Sequence, residues 1–111
     1  MKQVYFINTV FDGKIKVTPA HVEEVTVNKI KFKILIHHKL ISSGKKIFAP
    51  KIWTASEFTS GSSFDVDGDT VDKVVKSTKE KIKQNGADNV KKLIESMTNK
   101  QGHVNYTFKI K

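Results

Sequence analysis

The chain has no cysteine and no arginine, and one tryptophan in 111 residues. Without cysteine there is no disulfide, no thiol nucleophile and no cysteine-built zinc site. Without arginine there is no planar fork to read guanine edges or to clamp a phosphate bidentately. No apolar run approaches the ~18–20 residues needed to cross a bilayer, so no membrane partner is expected. The first residues, MKQVYFINTVF, alternate like a strand and lack the apolar core and small-residue cleavage site of a signal peptide, so a cytoplasmic protein is expected. Lysine is what remains in excess. It supplies all 20 basic residues against 11 acidic ones, for a formal net charge of +9. A charge of this sign favours anionic partners through a long-range, salt-sensitive field. Lysine is a flexible point charge, so capture of an anion is expected in preference to base-by-base reading.

The length predicts a single domain, residues 1–111, with one real core. Residues 3–11 are rich in β-branched and aromatic side chains, and Asp12-Gly13 closes them as a hairpin turn toward Ile15 and Val17. Val25 and Val27 open a further strand. The cleanest alternation follows, with Ile30, Phe32, Ile34 and Ile36 on one face and Lys29, Lys31 and Lys33 on the other. A period of two sets those lysines about 7 Å apart on the solvent side of a half-buried strand. KIFAPKIWTAS reads as one or two strand pieces broken at Pro50, and Phe64 and Val66 fit a short strand. Asp69 or Thr70 then caps a helix carrying Val71, Val74, Val75, Thr78 and Ile82, which stops at Asn85-Gly86. Asp88 caps a second helix carrying Val90, Leu93, Ile94 and Met97 at helical spacing. Alternation returns at Val104, Tyr106, Phe108 and Ile110 as a C-terminal strand. This order predicts an α+β fold: an antiparallel sheet of about five or six strands, two helices packed on one face, and a last strand after them.

Three carboxylates alternate in DVDGD (Asp65, Asp67, Asp69), as in a calcium loop, but Thr70 stands where glycine is needed and Lys76 where a bidentate glutamate is needed. His37 and His38 are adjacent and point to opposite faces of a strand, so they cannot share one metal. No metal and no cofactor is expected. No serine elbow, cysteine nucleophile or phosphate loop is present, which argues against an enzyme. The stretch from Lys51 to Lys73 offers the richest binding chemistry. Trp53 and Phe58 are flat surfaces on which a base can stack, and Ser60 and Ser62 offer hydroxyl and backbone donors. The helix start at Thr70 offers an N-terminus, with Lys51 and Lys73 adding charge. A second candidate is a basic surface: Lys29, Lys31 and Lys33 along the strand, and Lys76, Lys79 and Lys83 with Lys73 along the first helix. That surface suits a phosphate backbone if both rows face the same way.

The segment WTASEFTSGSSFDVDGDTVDKVVKSTKEKI (residues 53–82) resembles the small phage-encoded sponges that sequester signalling cyclic nucleotides, those of the anti-Thoeris type among them. The shared pattern is a tryptophan strand, a Ser/Thr-Gly turn, a short strand, and Gly-x-Thr opening an amphipathic helix. The resemblance implies a phage or mobile-element protein of the host-cell cytoplasm. It also implies an oligomeric, non-enzymatic binder that holds a nucleotide messenger by aromatic stacking and phosphate contacts. The chain departs from such proteins in having no arginine for the phosphate-gripping positions. A second likeness is to HicB-type antitoxins, whose sheet also runs into a Gly-Asp-Thr helix start; their preceding Pro-Gly-Cys turn is absent here. The leading expectation is therefore a small anti-defence protein that captures an anionic nucleotide ligand unaltered. A homo-oligomer fits this, its interface drawn either from two facing strands with exposed edges or from Leu35, Leu40 and Ile41 near a turn. The alternatives are a nucleic-acid-binding module, and a protein inhibitor or antitoxin docking on an acidic partner.

Overall fold

The computed structural model describes residues 5–9, 13–17, 19–42 and 47–105. In chain order it has β1 (Tyr5–Thr9), β2 (Gly13–Val17), β3 (Ala20–Val27), β4 (Ile30–Ser42), β5 (Ile47–Glu57), β6 (Ser63–Gly68), α1 (Val71–Asn85) and α2 (Ala87–Gln101). The fold is α+β, and the helices follow the strands. The strands do not form the single sheet of five or six that the sequence predicts. They divide into a four-stranded antiparallel sheet, β3-β4-β5-β6, and a separate antiparallel hairpin, β1-β2.

The physical reason lies on β4. Phe32, Ile34 and Ile36 face the helices and enter one core with Val25, Val27, Ala55, Val74 and Ile82. Leu35 points the other way, in the row that also carries Lys31 and Lys33. It is fully buried because Ile7, Ile15 and Val17 of the hairpin close over it. A leucine on the outer face of a sheet needs cover, and the hairpin supplies that cover by stacking on the sheet instead of extending its edge. The molecule therefore has three layers, helices, sheet and hairpin, with a core on each side of the sheet. Leu35, expected at an oligomer interface, is spent inside the chain. Leu40 is half-buried against the same hairpin core, and only Ile41 of the three stands exposed.

Local details follow the chemistry of individual residues. β3 and β4 join through Asn28 and Lys29, both with positive φ (50° and 68°), while Val27 pairs with Ile30. This is a tight two-residue hairpin turn whose backbone twist matches the strands. Lys29 therefore sits in the turn and not in the strand row with Lys31 and Lys33. Pro50 does not break β5. It lies in an irregularity where β4 steps from His38, paired with Trp53, to Lys39, paired with Ala49, so three residues of β5 go unmatched. Thr70 caps α1, its hydroxyl accepting from the Lys73 amide at 3.2 Å. The second helix begins one residue earlier than its expected cap. Gly86, with φ 88°, ends α1 and precedes Ala87, while Asp88 lies in the first turn of α2 without capping it. After α2 the chain is irregular through Asn105, and the remainder of the expected C-terminal strand, from Tyr106 to Ile110, lies outside the described residues.

Candidate lysine face and polar cleft

The residues expected to build one pocket fall into two groups, one in the middle of β5 and one past its C-terminal end. Trp53 pairs with Gly68, beside the start of α1. Its half-buried indole is flanked by the rings of His38 at 4.4 Å and His21 at 5.4 Å between centroids. Lys73 is committed to Asp69 at 2.9 Å, and that ammonium lowers the Asp69 pKa, first through their hydrogen bond and then by Coulomb attraction. Thr70 is engaged in its cap, and Lys51 stands exposed in the β5 irregularity. Phe58, Ser60 and Ser62 belong to the second group, about 16 Å further along the strand at 3.3 Å per residue. Phe58 and Ser60 are buried, so neither presents a surface to a base or a phosphate. Ser60 Oγ accepts from the Ser62 amide at 3.3 Å, and the buried Glu57 carboxylate takes the amides of Thr59 and Ser60, both at 2.8 Å. These residues build a rigid β5–β6 turn. They do not converge with Trp53.

The two lysine rows also part company. Lys31 and Lys33 occupy the hairpin side of the sheet, while Lys73, Lys76, Lys79 and Lys83 lie along α1 on the opposite side. Lys83 lies 3.8 Å from Glu80. The hairpin side carries two lysines that the sequence reading passed over. Lys14 and Lys16 alternate with buried Ile15 and Val17 on β2, so both project outward. Of Lys14, Lys16, Lys31 and Lys33, two meet aromatic rings: Lys14 Nζ sits 4.1 Å over Phe6, and Lys33 Nζ 4.2 Å over Phe58, which in turn meets Tyr5 edge-on. Lys14, Lys16 and Lys31 form no ion pair among the described residues. Glu24, in register with Lys33, brings one carboxylate to this side.

Between the hairpin and β5–β6 lies a cleft of about 500 Å³. Its floor is a pair of buried polar side chains, His37 and Ser56. His37 Nδ1–H donates to the His38 carbonyl at 2.7 Å, and Ser56 Oγ–H donates to Nε2 at 2.9 Å. A carbonyl only accepts, so the first bond fixes the proton on Nδ1 and leaves Nε2 as the acceptor. Burial lowers the His37 pKa, an effect opposed by the bond to the His38 carbonyl and reinforced by the His38 ring. At the rim Lys39 pairs with Asp67 at 2.6 Å, and Asp65 adds a second carboxylate. The cleft's lining therefore carries more negative than positive charge. The sequence hinted at this arrangement only through the unbroken run Ile34-Leu35-Ile36, which marks a strand covered on both faces. A second groove of about 530 Å³ runs between α1, α2 and β6 and has mostly apolar walls. Among the described residues no group of three or more His, Cys, Asp or Glu is placed to hold a metal ion, and no helix is long and apolar enough to span a membrane. No family model, curated protein or solved structure matches the chain.

Proposed function

We propose that this protein captures an anionic nucleotide polymer, a single-stranded nucleic acid, on the hairpin side of its sheet. The observation that carries the reading is the placement of Lys14, Lys16, Lys31 and Lys33 on that one side, with aromatic rings under two of them. Lysines alternating along β2 and β4 stand about 7 Å apart within each strand, a spacing at which successive phosphates of one strand can each meet a cation. The rim of Phe6 gives a base a place to stack, which is how single-stranded sites combine charge with sequence tolerance. The nucleotide-sponge form of the same idea requires a cationic concavity, and the cleft between hairpin and β5–β6 carries Asp65 and Asp67 against Lys39. Electrostatics therefore favours the lysine surface over the cleft as the seat of phosphate.

The test is fluorescence anisotropy with a labelled dT20 oligonucleotide across a salt series. Four phosphate contacts on a single strand predict a slope of log K against log salt close to −3, since each contributes about −0.7. Changing Lys14, Lys16, Lys31 and Lys33 to Gln removes most of that slope. Changing Lys76, Lys79 and Lys83 to Gln leaves most of it. Equal loss from both sets, or no micromolar binding at 50 mM salt, refutes the hairpin-side reading. Tight, salt-insensitive binding of a cyclic dinucleotide in the same assay supports the sponge instead.

A further inference from the structure

We propose that Ser56 and His37 form a nucleophile–base pair for acyl transfer from small, uncharged carboxylic esters that enter the cleft between hairpin and sheet. The inference does not rest on the lysine face, which lies elsewhere on the hairpin side and uses different residues. Three features support it. The first is tautomer: the His38 carbonyl holds the proton on Nδ1, so Nε2 stands as an acceptor 2.9 Å from Ser56 Oγ. This is the arrangement in which an imidazole takes the hydroxyl proton as the oxygen attacks. The second is access: both side chains line the floor of a cleft of about 500 Å³, although each has only 2% of its surface open. The third is charge: Lys39 belongs to the same lining, two residues beyond His37 on β4, and its ammonium, paired at rest with Asp67 at 2.6 Å, has to leave that exposed pair to meet a developing oxyanion.

The lining also defines the substrate. Ile7, Leu40 and Met97 give apolar wall for a short acyl chain, while Asp65 and Asp67 oppose an anionic substrate. In the reaction Ser56 Oγ bonds to the ester carbonyl carbon while Nε2 takes the hydroxyl proton. The bond from carbon to the leaving oxygen then breaks, and the imidazolium returns the proton to that oxygen, releasing an alcohol. Water next attacks the acyl-serine as Nε2 takes its proton. Oγ regains a proton as the carboxylic acid leaves. No oxidant or co-reactant other than water is consumed. One ammonium in place of a pair of aligned amides gives slow turnover, because losing an oxyanion donor typically costs 10²–10³ in rate.

The experiment uses the full chain and an uncharged alkyl fluorophosphonate, since activated acetates acylate lysines directly and this chain has 20. Intact mass and peptide mapping should show one adduct, with fluoride lost, on Ser56. Ser56→Ala should abolish it, and His37→Gln should slow labelling at least 100-fold with the circular dichroism spectrum retained. The wild-type labelling rate should rise with pH and reach half its plateau below pH 6.5, the ordinary imidazole value. The charged groups around His37 are His38 on its own strand, Lys39, and Asp65 and Asp67 from β6. If His37→Gln does not fold, the wild-type adduct site and its pH profile decide alone. A folded protein with no adduct on Ser56 overturns the proposal. So does an adduct on Ser62 or Ser63 in its place, or a labelling rate indifferent to pH between 5 and 8.

Discussion

Asn105 is the residue whose loss should reveal how the layers are held together. It is 4% exposed and sits just after α2, where the chain has returned to the hairpin. Its Oδ1 accepts from the Phe6 amide at 2.8 Å, and its Nδ2 donates to the Phe6 carbonyl at 2.7 Å and to the Phe58 carbonyl at 2.8 Å. One side chain thus acts as a strand partner for β1 and ties that strand to the β5–β6 turn. Asn105→Ala strands one backbone N–H and two carbonyls in a site with little access to water. Each orphaned group costs about 1–3 kcal/mol, and some recovery by entering water brings the sum to about 3–4 kcal/mol. With a urea m-value of about 1.5 kcal/mol/M for a chain of this size, the unfolding midpoint should fall by about 2 M. Asn105→Asp separates hydrogen bonding from packing, because a carboxylate keeps the Phe6 amide but repels two carbonyl oxygens. It should be as destabilising as alanine at pH 7 and less so near pH 3, where a protonated carboxyl can donate once. A midpoint shift under 0.5 M for Asn105→Ala, or unchanged amide exchange at Phe6, refutes the claim that this side chain joins hairpin to sheet.

Gly61 and His37 supply two further predictions. Gly61 has φ 73°, and a Cβ there would lie 2.6 Å from the Asn8 amide nitrogen and 2.7 Å from a Val104 methyl. Gly61→Ala should therefore cost about 2–5 kcal/mol from left-handed strain and overpacking together, read by urea denaturation; a cost under 1 kcal/mol contradicts the close approach of hairpin and turn. His37 has a folded pKa below its unfolded value of 6.5, because burial disfavours the imidazolium. The unfolded chain then binds more protons as pH falls, so stability is full above about pH 6.5 and declines as pH drops through that value and on through the folded pKa. His37→Gln should flatten the slope between pH 7 and 5, and an unchanged slope in that variant assigns the dependence to another group.

The element sequence was largely legible and the layering was not. The two-residue period of β4, the Thr70 cap and the Gly86 stop follow from local chemistry, and each stands where the sequence puts it. The hairpin's placement depends on Leu35, one apolar side chain in a row otherwise read as polar. The alternation of its neighbours outweighed it in the sequence reading. Lys29 was misplaced for a related reason: Asn28-Lys29 lacks the glycine that marks most such turns, although asparagine tolerates positive φ. The candidate site was less legible still. Trp53, Phe58 and Ser60 are near one another in sequence, but an extended strand separates its ends, and Phe58 and Ser60 turn inward to build the turn itself. The His37–Ser56 contact joins residues 19 apart on neighbouring strands, and only the pairing register, which no local pattern encodes, brings them together.

The charge on this fold makes stability and binding respond to salt in opposite directions. The ion pairs among the described residues are Lys39–Asp67, Lys73–Asp69 and Lys83–Glu80, and all have exposed partners. Pairs of this kind contribute about 0–1 kcal/mol each, so they cannot be why the chain carries +9. The surplus instead pushes on itself. The molecule measures 38 × 33 × 30 Å, so at 0.01 M salt, with a screening length of about 30 Å, every lysine feels most of the others. At 0.1 M that length falls to about 10 Å, and repulsion across the molecule largely disappears. Raising salt from 0.01 to 0.1 M should therefore raise the melting temperature of the free protein by a few degrees while weakening its hold on dT20. In the complex the sign reverses, because adding salt strips away the bound polyanion that offset the repulsion. Differential scanning fluorimetry with and without the oligonucleotide reads both arms. A free protein that melts lower in higher salt would mean that its ion pairs outweigh its self-repulsion, and the lysines would then need a structural explanation in place of a functional one.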